Sequence, residues 1–218
     1  LKGIPRISEE LLLQRDIYLA EYTDSRLHVA NISTVGAVDM IHRAKKKGIK
    51  VTASVAAMNL AFEDADLSEF NTNLKVLPPI REIIDIQAIK KGLKDGTIDS
   101  ISSNHVPLNK EEKDLEFLYA DFGAIGLETS FAVARTQLRN DLSLEELINK
   151  YSIRPREILN LEIPKIEKGA EANLTIFQPD EEWTFTEKDI FSKSNNTPFI
   201  NRSFVGRVVG VVNNAKTR

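Results

Sequence analysis

The stretch best placed to do chemistry is Ser100-Ile101-Ser102-Ser103-Asn104-His105-Val106-Pro107-Leu108. A short β-rich run ends in a polar Asn-His pair and turns at proline, the pattern of a strand delivering side chains to its C-terminal mouth. Proton transfer there would fall to His105, because the Asn104 amide cannot accept a proton near neutral pH. His105 lacks a carboxylate neighbour at 104, so a structural strand-end residue is the simpler reading. The other two histidines have plain readings too: His28 as a packed or hydrogen-bonded strand residue, His42 as a helix surface residue beside Arg43. Met58 reads as packing rather than as a soft metal ligand. Asn31, Ser54, Asn59, Ser103 and Asn104 could line a metal-free polar pocket or a residual, water-filled mouth.

The 218 residues are 42% hydrophobic, enough for a sizeable core. A net charge of -3 from 29 basic and 32 acidic residues gives no electrostatic case for nucleic acid or an anionic membrane. Lys45-Lys46-Lys47 reads as a solvated helix end. With no cysteine there is no disulfide and no thiolate metal site, and cytoplasmic residence is the expectation. No signal peptide or membrane-length apolar span is visible. The chain opens on Leu1 rather than Met; if Leu1 is a processing product or the start of a piece of a longer protein, sequence signals upstream of it are lost.

The elements that must position these residues alternate strand and helix. Ser8 is the expected N-cap of a helix to Tyr22, with Leu13, Ile17 and Ala20 at helical spacing. Leu27 to Ile32 reads as a strand. Ser33 to Gly36 turns into a helix with Ala37, Met40, Ile41 and Ala44 on one face, stopped by Gly48. Ile49 to Ala56 returns as a strand. A third cycle has Lys75-Val76-Leu77 as a strand, Asp85 to Lys94 as a helix, and the Ser100 strand after Gly96. Helices follow at Glu128 to Arg139, behind a Ser143 and Glu146 capping box, and from Pro155 to about Leu161. Short strands then span Asn173 to Phe177 and Phe204 to Asn214, and a domain boundary is expected near residue 165. The alternation predicts an α/β fold with a parallel sheet.

The Ser100 run, with Asp95-Gly96-Thr97-Ile98-Asp99 before it and Gly126-Leu127-Glu128-Thr129 after it, resembles the last barrel strand of dihydroorotases, members of the amidohydrolase superfamily. Leu174-Thr175-Ile176-Phe177 and Asn196-Thr197-Pro198-Phe199 extend the match over nearly the whole chain. The family reads Asp-His-Ala-Pro-His where this chain has Asn104 to Leu108, and its aspartate is both metal-side carboxylate and proton shuttle. Its His-Val-Ser-Thr phrase, carrying a metal ligand, matches Asn31-Ile32-Ser33-Thr34. Its Pro-His-His-Leu phrase, whose first histidine binds metal, matches Ala57-Met58-Asn59-Leu60. Its substrate-contacting Asn-Pro-Pro-Leu-Arg matches Leu77-Pro78-Pro79-Ile80-Arg81, and the substrate-binding histidine closing the Asp-His-Ala-Pro-His motif matches Leu108.

The resemblance implies a partial (β/α)₈ barrel of the metal-dependent hydrolase type over residues 1–165, and strands of a small composite β-sandwich domain over 166–218. It implies that active relatives use zinc to interconvert dihydroorotate and carbamoyl aspartate in pyrimidine biosynthesis. For this chain it implies degenerate positions: metal at Asn31 and Met58, catalysis at Asn104, substrate at Leu77 and Leu108, with no cofactor expected. Three functions compete: an inactive homologue with an assembly role beside aspartate carbamoyltransferase, an active cyclic amide hydrolase whose ligands come from an N-terminal half, and a metal-free small-molecule binding module. A homo-oligomer, or pairing with that N-terminal half, is expected.

Overall fold

Helix α1 (Arg6–Thr23) leads into the short strand β1 (Leu27–Val29). The computed structural model describes residues 3–213 and 216–217; Leu1, and Asn214 at the end of the expected last strand, lie outside the described residues. Ser8 is not the N-cap of α1. The helix begins after Pro5, and the Ser8 hydroxyl donates to the Pro5 carbonyl at 2.6 Å. Thr34 does cap α2 (Val35–Lys46), accepting from the Ala37 N–H at 3.0 Å. Gly48 follows with φ 83°, a left-handed turn that glycine makes without a Cβ penalty.

Strand β2 (Val51–Ala56) runs parallel to β1, with Leu27 opposite Val51, and α3 (Ile83–Lys94) crosses over to β3 (Ser100–Ser102). Strand β3 is parallel to β2, with Ser54 opposite Ser100, so the sheet order is β1-β2-β3. Its core is one cluster: Ala37 and Ile41 from α2, Val51, Ala53 and Val55 from β2, Ile89 and Leu93 from α3. The expected strand at Lys75 to Leu77 is not one. These residues run as irregular chain, with no strand partner; the Gly123 N–H donates to the Lys75 carbonyl at 2.9 Å and Asn104 Nδ2 to the Leu77 carbonyl at 3.0 Å.

Buried Asp99, just before β3, gathers three elements. It accepts from the Ala53 N–H at 2.9 Å, from Lys45 at 2.7 Å and from Arg154 at 2.9 Å. Lys45 is therefore an ion-pair partner rather than part of a solvated helix end. The short helix α4 (Lys110–Lys113) and helix α5 (Ser130–Leu138) follow. Ser143 and Glu146 form the expected capping box of α6 (Leu144–Ile148), which continues through a wider turn into α7 (Arg154–Ile158), with Pro155 in its first turn.

The remaining strands are antiparallel: β4 (Asn173–Thr184) pairs with β5 (Ser203–Asn213), and β6 (Lys216–Thr217) pairs with the end of β5. Helix α5 packs on β5. Thr136 Oγ1 accepts from the Val205 N–H at 2.9 Å, and Phe204, Phe199 and Phe185 join the same buried cluster as the parallel sheet. Among the described residues no helix is long and apolar enough to cross a membrane.

Candidate functional site

The C-terminal ends of the three parallel strands meet in a network of amides and hydroxyls. Asn31, just beyond β1, donates from Nδ2 to Asn104 Oδ1 at 3.2 Å. Its own Oδ1 accepts from Ser102 Oγ at 2.6 Å and from Ser54 Oγ at 3.4 Å, and its backbone N–H donates to Ser54 Oγ at 3.0 Å. Asn104 in turn donates from Nδ2 to the Leu77 carbonyl at 3.0 Å. Both asparagines occupy left-handed backbone, φ 56° and 46°, which their short polar side chains tolerate better than most. The turn beyond Asn31 is held from below: Glu9 Oε1 accepts from the Ser33 and Thr34 N–H groups at 2.8 and 3.2 Å, while Arg81 Nε donates to Ser33 Oγ at 3.1 Å.

His105 adds a last parallel bridge, opposite Ala124. Its Nδ1 accepts from the Gly126 and Leu127 N–H groups at 3.1 and 3.3 Å, so the ring carries its proton on Nε2 when neutral. Gly126 is obligatory here, since a Cβ would stand 2.3 Å from the Ser103 carbonyl. Asn196 fastens the same loop: its Nδ2 donates to the Val106 and Gly123 carbonyls at 3.0 and 3.3 Å, and its Oδ1 accepts from the Leu108 N–H at 3.2 Å.

Of the residues singled out by sequence, the structure thus brings together Asn31, Ser54 and Asn104. Met58 lies apart, buried in the apolar core. Asn59 is buried too. Its Nδ2 reaches the Pro79 carbonyl at 3.0 Å, but its Oδ1 has no protein partner, nor do Glu128 Oε2 and Thr129 Oγ1; such atoms call for water or a ligand group. Leu77 is exposed and contributes its carbonyl, whereas Leu108 is half-buried. His28 hydrogen-bonds Thr52 Oγ1 at 2.9 Å, and partial burial lowers its pKa although Asp99 opposes the shift. His42 is not a free surface group; it contacts Thr97 Oγ1 at 3.1 Å. Ser102 and Asn196 are part of the site although the sequence pattern alone does not single them out. Strand alternation could not have linked Ser102 to Asn104, because β3 ends at Ser102 and Asn104 follows in left-handed backbone.

This donor set is fit for hydrogen bonding, not for a hydrolytic cation. Zinc takes about three imidazole, carboxylate or thiolate ligands and an open position. Asn31 and Asn104 are amides already bonded to protein, Met58 is a thioether sunk in the core, and among the described residues no three His, Cys, Asp or Glu side chains are grouped to hold an ion. The residues present do not fit zinc.

Residues 17–217 match the model of the Amidohydrolase family. The chain belongs to the amidohydrolase family. Among curated members, a dihydroorotase of Trichlorobacter lovleyi is 42% identical over 207 residues, covering 94% of this chain and 49% of that protein. Among solved structures, the L-hydantoinase (dihydropyrimidinase) of Arthrobacter aurescens superposes with a TM-score of 0.87 at 25% identity, over 98% of this chain and 49% of that one. The inactive dihydroorotase-like domain of the Chaetomium thermophilum CAD-like multifunctional protein superposes with a TM-score of 0.71 at 19% identity, over 94% of this chain and 54% of that one, a likeness of fold. This amidohydrolase chain spans about half the length of the curated relatives it matches.

Proposed function

We propose that this chain is the later half of the (β/α)₈ barrel of a dihydroorotase-like protein of pyrimidine biosynthesis, catalytically inactive, with an assembly role beside aspartate carbamoyltransferase. Residues 1–165 would supply the barrel strands and helices, and 166–218 the strands of a small composite β-sandwich domain, in a cytoplasmic protein. The observation that carries the reading is the Asn31 to Asn104 contact. Two strand-end side chains that would have to grip a cation and move a proton are instead amides that satisfy each other, Ser102 and the Leu77 carbonyl. An amide neither takes up a proton near neutral pH nor rivals imidazole as a zinc donor. Leucine at 77 and 108 adds to this, since neither side chain can pair the polar groups of a small charged cyclic amide. The Chaetomium domain offers a precedent, the same fold described as inactive.

The test is direct. The full polypeptide carrying this sequence is purified, its zinc content is measured by elemental analysis, and ring opening of dihydroorotate is assayed with and without added zinc. The reading expects no turnover and no stoichiometric zinc, with co-purification of an aspartate carbamoyltransferase. Robust turnover would instead establish an active cyclic amide hydrolase drawing its ligands from elsewhere in the polypeptide.

A further inference from the structure

Two loops at the C-terminal ends of the strands meet in an exposed aromatic patch. Residues 61–70 follow β2 after one tight helical turn, and residues 109–122 follow β3. Phe70 of the first loop meets Phe117 of the second edge-on, with ring centres 5.9 Å apart. Lys75 fastens the joint: its Nζ donates to the Leu118 carbonyl at 2.8 Å and lies 4.8 Å from the centre of the Phe122 ring. Around it Phe70, Leu118, Tyr119 and Phe122 are 53%, 68%, 68% and 44% exposed. The same loops are strongly acidic. Residues 62–70 carry four carboxylates and no cation, and 109–122 carry five carboxylates against two lysines, a net of -7 in a chain whose total is -3. Of those lysines, Lys113 is buried and Lys110 is paired with Asp114 at 3.9 Å. Glu63, Asp66 and Glu112 cap helical turns, but the carboxylates of Asp64, Glu69, Glu111 and Glu116 have no hydrogen bond or ion pair among the described residues. Such crowding of one charge costs stability in the free chain, and an opposing positive surface relieves it.

We propose that this rim docks a partner protein through a basic surface whose apolar hollows receive Leu118 and Tyr119. The sign of the charge selects the occupant. Nucleic acid and an anionic membrane are repelled, and a second copy meeting rim to rim would set the same net charge of -7 against itself. A positively charged protein face satisfies both features, rings and aliphatic side chains as anchors at the centre and charge around them. The rim also lies away from the place where the other half of the fold would join. Strand β2 is the middle strand, with β1 and β3 on either side, so the loop that follows it is the one farthest from the free edges of the sheet. Residues 109–122 fold toward that loop through Phe117 and Lys75. The inference deepens the assembly reading given above and rests on it for the identity of the partner.

The full polypeptide is titrated calorimetrically with the aspartate carbamoyltransferase of the same organism, at low and at high salt. Leu118→Ala and Tyr119→Ala should each raise the dissociation constant about tenfold. Glu111→Lys combined with Glu116→Lys should raise it by about as much and flatten its salt dependence. Glu145→Lys, the same change of charge on α6, should leave it unaltered. All five positions are exposed, so the far-ultraviolet circular dichroism and unfolding midpoint of the variants should match the native chain. Hydroxyl-radical footprinting adds a readout that needs no substitution: Tyr119 should be oxidised readily in the free polypeptide and protected in the complex. A complex that survives every rim substitution, or a Tyr119 already protected in the free polypeptide, would overturn this inference and leave the assembly reading standing. The absence of any complex would overturn both.

Discussion

Asn31 and Asn104 meet side chain to side chain at 3.2 Å, each from left-handed backbone. The contact joins the end of β1 to the end of β3 across β2, so the two strand termini hold each other in place. Asn31→Ala should cost about 3 kcal/mol, combining the left-handed penalty of a residue with a Cβ and a lost hydrogen bond. Asn31→Gly should cost about 1 kcal/mol, because only the side chain is lost. Urea denaturation of both variants decides the matter; equal losses would mean that the backbone conformation is not under strain.

Arg6 grips fully buried Asp85 from Nη2 at 2.7 Å and Nε at 3.1 Å, while Asp85 also receives the Val35 N–H at 2.9 Å. The hydrogen bonds to Asp85 and Glu82 raise the Arg6 pKa above its usual value. Arg6→Ala leaves the carboxylate buried without its cation, and a loss of about 3 kcal/mol is expected. Arg6→Lys should recover part of it, keeping the charge but not the fork. Unfolding midpoints that rank alanine and lysine equally would contradict this account.

Two glycines separate crowding from conformation. At Gly126 a Cβ would collide with the Ser103 carbonyl, whereas at Gly48 nothing lies within 4 Å and only the positive φ of 83° resists substitution. Gly126→Ala should destabilise by about 3 kcal/mol through forced backbone movement, and Gly48→Ala by about 1 kcal/mol. Thermal unfolding of the pair is the check, and the order of the two is the decisive readout.

Lys113 is buried and donates to the Asp121 carbonyl at 2.8 Å. Burial first, then the nearby charge of Lys75, pushes its pKa down from 10.5 to about 8. Between those two values the unfolded chain keeps the proton and the folded chain gives it up. This group's contribution to stability therefore rises as pH climbs from about 8 to about 10.5 and is absent below that window. Denaturation midpoints of the native chain and of Lys113→Met, taken at several pH values across the window, should diverge in slope, the variant being flatter. Parallel curves would remove Lys113 from the explanation.

The local parts of this fold were legible in sequence. The Ser143 and Glu146 capping box, the Gly48 stop and the buried faces of α2 and α3 depend on neighbours three or four residues away. What failed depends on distant partners. Lys75 to Leu77 has strand-forming residues but no strand to pair with. Strand β4, expected to end at Phe177, runs on to Thr184 through Gln178-Pro179-Asp180-Glu181; a register shift between Gln178 and Glu182 absorbs the proline. The family phrase directed attention to Asn31 and Asn104 as separate positions. That they touch is a property of two strand ends meeting, which neither segment encodes alone.

Asp99 has a kinetic consequence. One carboxylate holds the Ala53 amide, the end of α2 through Lys45 and the start of α7 through Arg154, so none of these can breathe without releasing the others. In deuterated solvent, amide protons of β2, α2 and α7 should exchange at a common rate, as one shutter rather than three.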